Sequence, residues 1–175
     1  MSSWRILPGL PAEGPAPAQF SATGKGTHRE GFVVKFSPGS DECWVVGNFQ
    51  PGITTFFTVL IHPNQGFLIV VAGGEGFVID PKTRELVDQV GGGIEGSLMV
   101  SEAGLLLLYD STTVRAIGTN GELWRTRRVS WDGIWDLQYG GGIVTGVSYD
   151  AIAELEVTFQ INVSSGLVTG GGYQE

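Results

Sequence analysis

Three aspartates, Asp80, Asp110 and Asp150, each end an apolar run, and the pair Tyr109-Asp110 returns as Tyr149-Asp150. Carboxylates are hard oxygen ligands, so three of them converging could hold a calcium ion. No contiguous calcium-loop spacing surrounds any of them, and an aspartate at a strand end ordinarily accepts the amides of the following turn. Glu154 and Glu156 share one strand face by period two and read as solvated, because an acid/base pair needs two different environments. His28 and His62 are the only imidazoles, and neither has a nucleophile-elbow pattern beside it. Cys43 in "ECWVV" shares a strand face with Val45 and reads as a small buried residue. "GGGIEG" (91–96) satisfies G-x-G-x-x-G, but a dinucleotide site needs a helix after it, and "SLMVSEAGLLLLY" carries a hairpin pattern instead.

Recognition chemistry is richer around "WRTRRVSWDGIWD" (124–136). Arg125, Arg127 and Arg128 are three of the ten basic residues, and Trp131, Asp132 and Trp135 follow at once. Arginines in an acidic chain can orient an acidic partner and stack on aromatic groups, and tryptophan concentrates binding energy at interfaces. The plainer alternative is an edge strand carrying protective charge, an Asp132-Gly133 turn, and tryptophans wedged between sheets.

These residues occupy one join in a recurring pattern. "VSWDGIWDL" (129–137) aligns with "VGGGIEGSL" (90–98) at offsets of 39 or 40 residues, and Gly52-Ile53 lies 41 residues before Gly93-Ile94. Gly66, Gly104 and Gly142 are separated by 38 residues each time, and each enters an apolar stretch. The spacing predicts four strands per unit: 56–62, 67–72, 76–80 and 85–90; then 97–102, 105–110, 113–118 and 122–129; then 134–139, 143–149, 155–162 and 166–170. Leu155, Val157, Phe159, Ile161 and Val163 alternate with polar residues, which gives that strand one buried face. In a fourth, less regular unit, residues 31–46 supply the last two strands, and "SWRIL" and "AQFSAT" could supply the first two. Pro8, Pro11, Pro15 and Pro17 make an extended arm over residues 1–25 an equal reading.

Four strands at a period near 40 residues is the spacing of a β-propeller blade. "FSPGSDECWVVGN" and "FVIDPKTRELV" resemble the turn-and-strand segments of WD-repeat and YVTN-type propellers, and the resemblance covers about residues 31–170. It implies that the unit-to-unit joins lie on one face near an axis, a frequent recognition surface. A full WD dipeptide with its Gly-His signature is absent, so an open four-sheet array, a ring completed by another chain and a β-sandwich all remain open.

Composition narrows the function. Ten Lys and Arg against eighteen Asp and Glu give the 175 residues a net charge of −8, which opposes a phosphate backbone and argues against nucleic acid. The 28 glycines suit many short strands joined by tight turns. One cysteine allows no internal disulfide, and the N-terminal stretch does not read as a signal peptide, so a soluble cytoplasmic protein is expected. No apolar run reaches bilayer-spanning length, so no membrane is expected either.

The expectation is therefore an all-β fold: one β-repeat domain over residues 1–175, with antiparallel four-stranded repeats in a propeller-like array, three clear units and a fourth. Its expected function is non-catalytic protein interaction through Arg125, Arg127, Arg128, Trp131, Asp132 and Trp135. No cofactor or metal is implied, and a homo-oligomer is open. The alternative is small-ligand or glycan binding around the tryptophans, and a metal-assisted hydrolase comes third.

Overall fold

The computed structural model describes residues 3–24, 29–37 and 45–173. His28, Cys43 and most of the "SPGSDECW" turn lie outside them. Sixteen strands form four four-stranded sheets, with one short 3-10 turn and no α-helix among the described residues. The chain divides into two compact units, residues 1–93 and 94–175.

The first unit begins with a sheet of unexpected order. Strands β1 (Ser3–Leu7), β2 (Ala18–Phe20), β3 (Phe32–Ser37) and β4 (Val45–Phe49) are arranged β1-β3-β4-β2. "SWRIL" and "AQF" are both strands, but they flank the β3–β4 hairpin instead of pairing with each other. The proline-bearing stretch between them is too long for a hairpin turn and makes no ladder. It carries the chain across, and β2 then pairs parallel to β4. Phe20 stacks on Phe49 with ring centroids 4.5 Å apart, and Phe49 tilts against Phe77 at 5.5 Å. These rings join Val34, Phe36, Val70 and Ile79 in one core. Buried Asn48 is satisfied: its Oδ1 accepts Gly31 N at 2.8 Å and its Nδ2 donates to Gln19 Oε1 at 2.9 Å.

The second sheet is a meander of β5 (Thr58–Ile61), β6 (Leu68–Ala72), β7 (Glu75–Asp80) and β8 (Glu85–Gln89). Gly73 and Gly74 turn β6 into β7 with φ of +53° and +85°, a pair of values that favours glycine at both positions. Every residue of β8 is exposed, and its charged side chains suit a sheet edge.

The second unit consists of two meanders. One is β9 (Gly96–Val100), β10 (Leu105–Tyr109), β11 (Val114–Gly118) and β12 (Gly121–Arg125). The other is β13 (Ile134–Gly140), β14 (Ile143–Asp150), β15 (Leu155–Asn162) and β16 (Val168–Gly170). Val100, Leu105, Leu107 and Ala116 of the first pack with Val144, Phe159 and Ile161 of the second. The alternation expected along β15 buries Phe159 and Ile161, whereas Leu155 at its start is exposed. β12 stops at Arg125, four residues short of the expected end, because the chain there leaves the sheet edge to cross toward β13. In β13 the register shifts between Trp135 and Gln138, and Asp136 takes a left-handed φ of +53° at that bulge.

Candidate functional site

The strand-end carboxylates act on their own turns. Asp80 Oδ1 accepts Lys82 N at 2.8 Å, and Asp150 Oδ1 accepts Ile152 N and Ala153 N at 2.9 and 3.0 Å. Asp110 does more, taking the amides and hydroxyls of both Thr112 and Thr113 at 2.7–2.8 Å. Burial alone would raise its pKa, but these four bonds outweigh burial and lower it. Behind it lies buried Arg115, whose Nη2 is 3.6 Å from Asp110 Oδ2. Glu95 moves the other way, raised by burial and then by the charges of Asp132 and Asp110. Glu95 and Asp110 thus diverge in the manner of an acid/base pair, but neither lines the two concavities described below. Among the described residues no group of three or more His, Cys, Asp or Glu could hold a metal ion. His62 is buried, and its Nδ1 accepts Asn64 N at 2.9 Å; burial lowers its pKa and keeps it neutral.

The six residues singled out from the sequence separate into three groups. Arg125 pairs with Glu122 on its own strand through two bonds of 2.9 and 3.2 Å, an exposed i,i+3 pair. Arg127, Arg128 and Trp131 come together on the strap that joins the two sheets, and they bind main chain. Arg127 donates to the carbonyls of Arg128, Tyr173 and Gly170 at 2.9–3.1 Å. Arg128 donates to those of Ser130 and Trp131 at 3.0 and 2.8 Å. Its guanidinium also lies 5.2 Å from the Trp131 ring centroid and 4.7 Å from that of Tyr173, the two rings meeting edge to face at 4.9 Å. The third group, Asp132 and Trp135, stands apart from this knot. Asp132 is exposed, and half-buried Trp135 pairs with Val147 across β13 and β14.

The same strap is tied to its surroundings by backbone bonds. Trp131 N donates to Tyr149 O at 3.0 Å, Gly133 N to Ser111 O at 2.8 Å, and Tyr173 N to Val129 O at 3.0 Å. Buried Ser130 and Ser148 complete the ties, with Ser148 Oγ accepting Gly172 N at 2.9 Å. A cluster of arginine and tryptophan thus closes the second unit around its last described residues.

Two concavities lie elsewhere in that unit. One, of about 640 Å³, opens between the ends of the two sheets and is lined by Leu105, Leu123, Trp124, Tyr139, Ile143 and Asn162 among others. Trp124 forms its wall. Its Nε1 donates to Val163 O at 2.9 Å, and its ring covers Gly166, where a Cβ would come within 2.8 Å. Gly166 has a φ of +73°, so both its conformation and the ring above it require glycine. Tyr139 donates to Glu102 Oε2 at 2.9 Å, a bond that raises the tyrosine pKa. Leu123 is 60% exposed at this opening, and Leu167, beside Gly166, is 72% exposed.

The other concavity, of about 630 Å³, crosses the outer face of the β13–β16 sheet and draws on all four strands through Gln138, Thr145, Thr158, Gln160 and Thr169, with Asp136 at one end. Neither concavity was singled out from the sequence. The period-two polar positions of β15, Thr158 and Gln160, carried the signal, but they read as an ordinary wet face.

No protein-family model matches the chain, and no curated protein sequence matches it. Among the described residues no helix is long and apolar enough to cross a membrane.

Proposed function

We propose that the chain is a non-catalytic protein-interaction module, a propeller-like array of four sheets that docks a partner in the cleft between the ends of the β9–β12 and β13–β16 sheets. The observation that carries this reading is the exposure of Leu123 in the wall of a Trp124–Tyr139 cleft whose lining also carries the polar Asn162 and Ser164. An isolated exposed leucine is ordinary, but one beside an aromatic-walled pocket with polar neighbours fits the anchor-and-rim pattern of a binding hot spot. The net charge of −8 favours a basic partner and faster encounter with it. Arg125, Arg127 and Arg128 have a different part in this reading. In it Arg127 and Arg128, bonded to main-chain carbonyls, support the strap, Arg125 pairs with Glu122 on its own strand, and none of the three forms the contact surface.

The test is capture of a stoichiometric partner from the source cells, followed by titration of the repurified partner against wild type and a Leu123→Glu variant. Placing a carboxylate in a desolvated contact is expected to weaken binding by about a hundredfold. Failure to capture a stoichiometric partner, or equal affinity for both proteins, would sink the reading.

A further inference from the structure

The open face of the β13–β16 sheet has a chemistry distinct from the cleft. The register aligns Gln138 with Thr145, Thr145 with Gln160, and Gln160 with Thr169, so one row of alternating carboxamides and hydroxyls runs across all four strands. Cross-strand partners share a face, and the next row on that face is Trp135, Val147 and Thr158. Among the described residues, none of the side chains of Asp136, Gln138, Thr145, Thr158, Gln160 and Thr169 hydrogen-bonds within the chain, and all six are exposed. The reverse face of the same strands carries Val144, Phe159 and Ile161, fully engaged in the core.

We propose that this face binds a neutral, extended oligosaccharide. A carboxamide presents two donors and an acceptor, and a threonine hydroxyl presents one donor and two lone pairs. Sugar hydroxyls, which both donate and accept, are matched by such mixed groups, whereas a phosphate, sulfate or uronate calls for cations. Among the described residues no Lys, Arg or His lines the groove and Asp136 is its one charge, so an anionic ligand is disfavoured. Asp136 can accept both hydroxyls of a vicinal diol. The bulge that gives it a left-handed backbone lies at the end of the polar row, where strained residues often mark function.

Val147 supplies apolar surface within the groove, and Trp135, its cross-strand partner, stands beside the groove with its ring packed over Gly133. The volume of about 630 Å³ lies in the range of small-ligand sites. Strands about 4.8 Å apart place the four polar side chains of the row across about 14 Å, enough for about three sugars of an extended β-linked chain. A protein partner fits less well here, because Thr is under-represented at hot spots and the Gln/Thr row offers no aromatic anchor apart from Trp135. A second sheet stacked on it would leave a row of amides and hydroxyls unpaired.

The test is an ¹⁵N NMR titration of the full chain with cellotetraose, xylotetraose, mannotetraose, laminaritetraose and chitotetraose, with tetragalacturonate as the anionic control. At least one neutral tetrasaccharide is expected to shift the side-chain amides of Gln138 and Gln160 and the Trp135 indole. Gln160→Ala and Gln138→Ala should each weaken it by about tenfold while the rest of the spectrum is preserved. Leu123→Glu should leave it unchanged, which separates this site from the protein-docking cleft. Absence of shifts with every neutral tetrasaccharide at about 10 mM, a concentration that detects even very weak binding, would overturn the proposal. So would shifts confined to other residues, affinity that survives both glutamine substitutions, or preference for the galacturonate.

Discussion

The strap at residues 126–133 and the open face of the β13–β16 sheet differ in where their polar side chains find partners. The strap has the residues that attract attention, two arginines and a tryptophan, yet its donors end on the carbonyls of Gly170, Tyr173, Ser130 and Trp131. The face has threonines and glutamines whose side chains have no hydrogen-bond partner among the described residues. Residue type alone does not distinguish a structural clasp from a recognition surface. The direction of each donor does, because a guanidinium already bound to main chain has less left to offer a ligand.

Substitution should separate the two regions in the same sense. The largest effect is expected at Arg128→Ala, which removes two carbonyl bonds and the cation held between two rings; unfolding by urea should show a loss of about 2–3 kcal/mol. Asp110→Asn comes next at about 1–3 kcal/mol near neutral pH, since it exchanges a carboxylate accepting four bonds for a neutral amide. This change carries a pH signature. The folded pKa of Asp110 lies below its unfolded value, so the carboxylate's stabilisation is complete above about pH 4 and is lost as pH falls through the folded pKa. The acid limb of a stability–pH curve should therefore be shallower in Asp110→Asn than in wild type. Arg127→Ala, whose three bonds are exposed, should cost about 1 kcal/mol and expose the chain after Gly170 to protease sooner. Smallest of all, Gln138→Ala, Thr145→Ala and Gln160→Ala should each stay within about 0.5 kcal/mol of wild type. A loss of more than 1 kcal/mol from these three would erase the contrast between clasp and face.

Much of the architecture was legible because the repeated joins and hairpins are marked by glycine and the strands by apolar runs. Residues 58–170 therefore fall into three four-stranded meanders near the expected boundaries. The N-terminal sheet was harder to read. "SWRIL" and "AQFSAT" were open between strands and an extended arm, nothing in a strand's own residues states which neighbour it joins, and the parallel β2–β4 pair depends on a partner beyond the next hairpin. The bonding of the strap was hidden for a similar reason: Arg127 donates to a carbonyl as far away as Tyr173, and a local window cannot contain that contact. The cleft depends on a ring over Gly166, and that glycine is 42 residues beyond Trp124. The polar face was visible as a pattern along β15, but its continuation across the other strands required the register.

The order of the N-terminal sheet also has a temporal consequence. Three sheets are successive hairpins, whose strands can pair almost as soon as each turn is made. β1 must wait for its partner, since Ser3 meets Ser37, and β2 waits for β4, since Ala18 meets Gly47. Loop closure over such separations slows pairing, so β1 and β2, made before their partners, are expected to be among the last strands to settle. In refolding monitored by hydrogen exchange, protection should appear in β9–β11 and β13–β15 before it appears in β1 and β2.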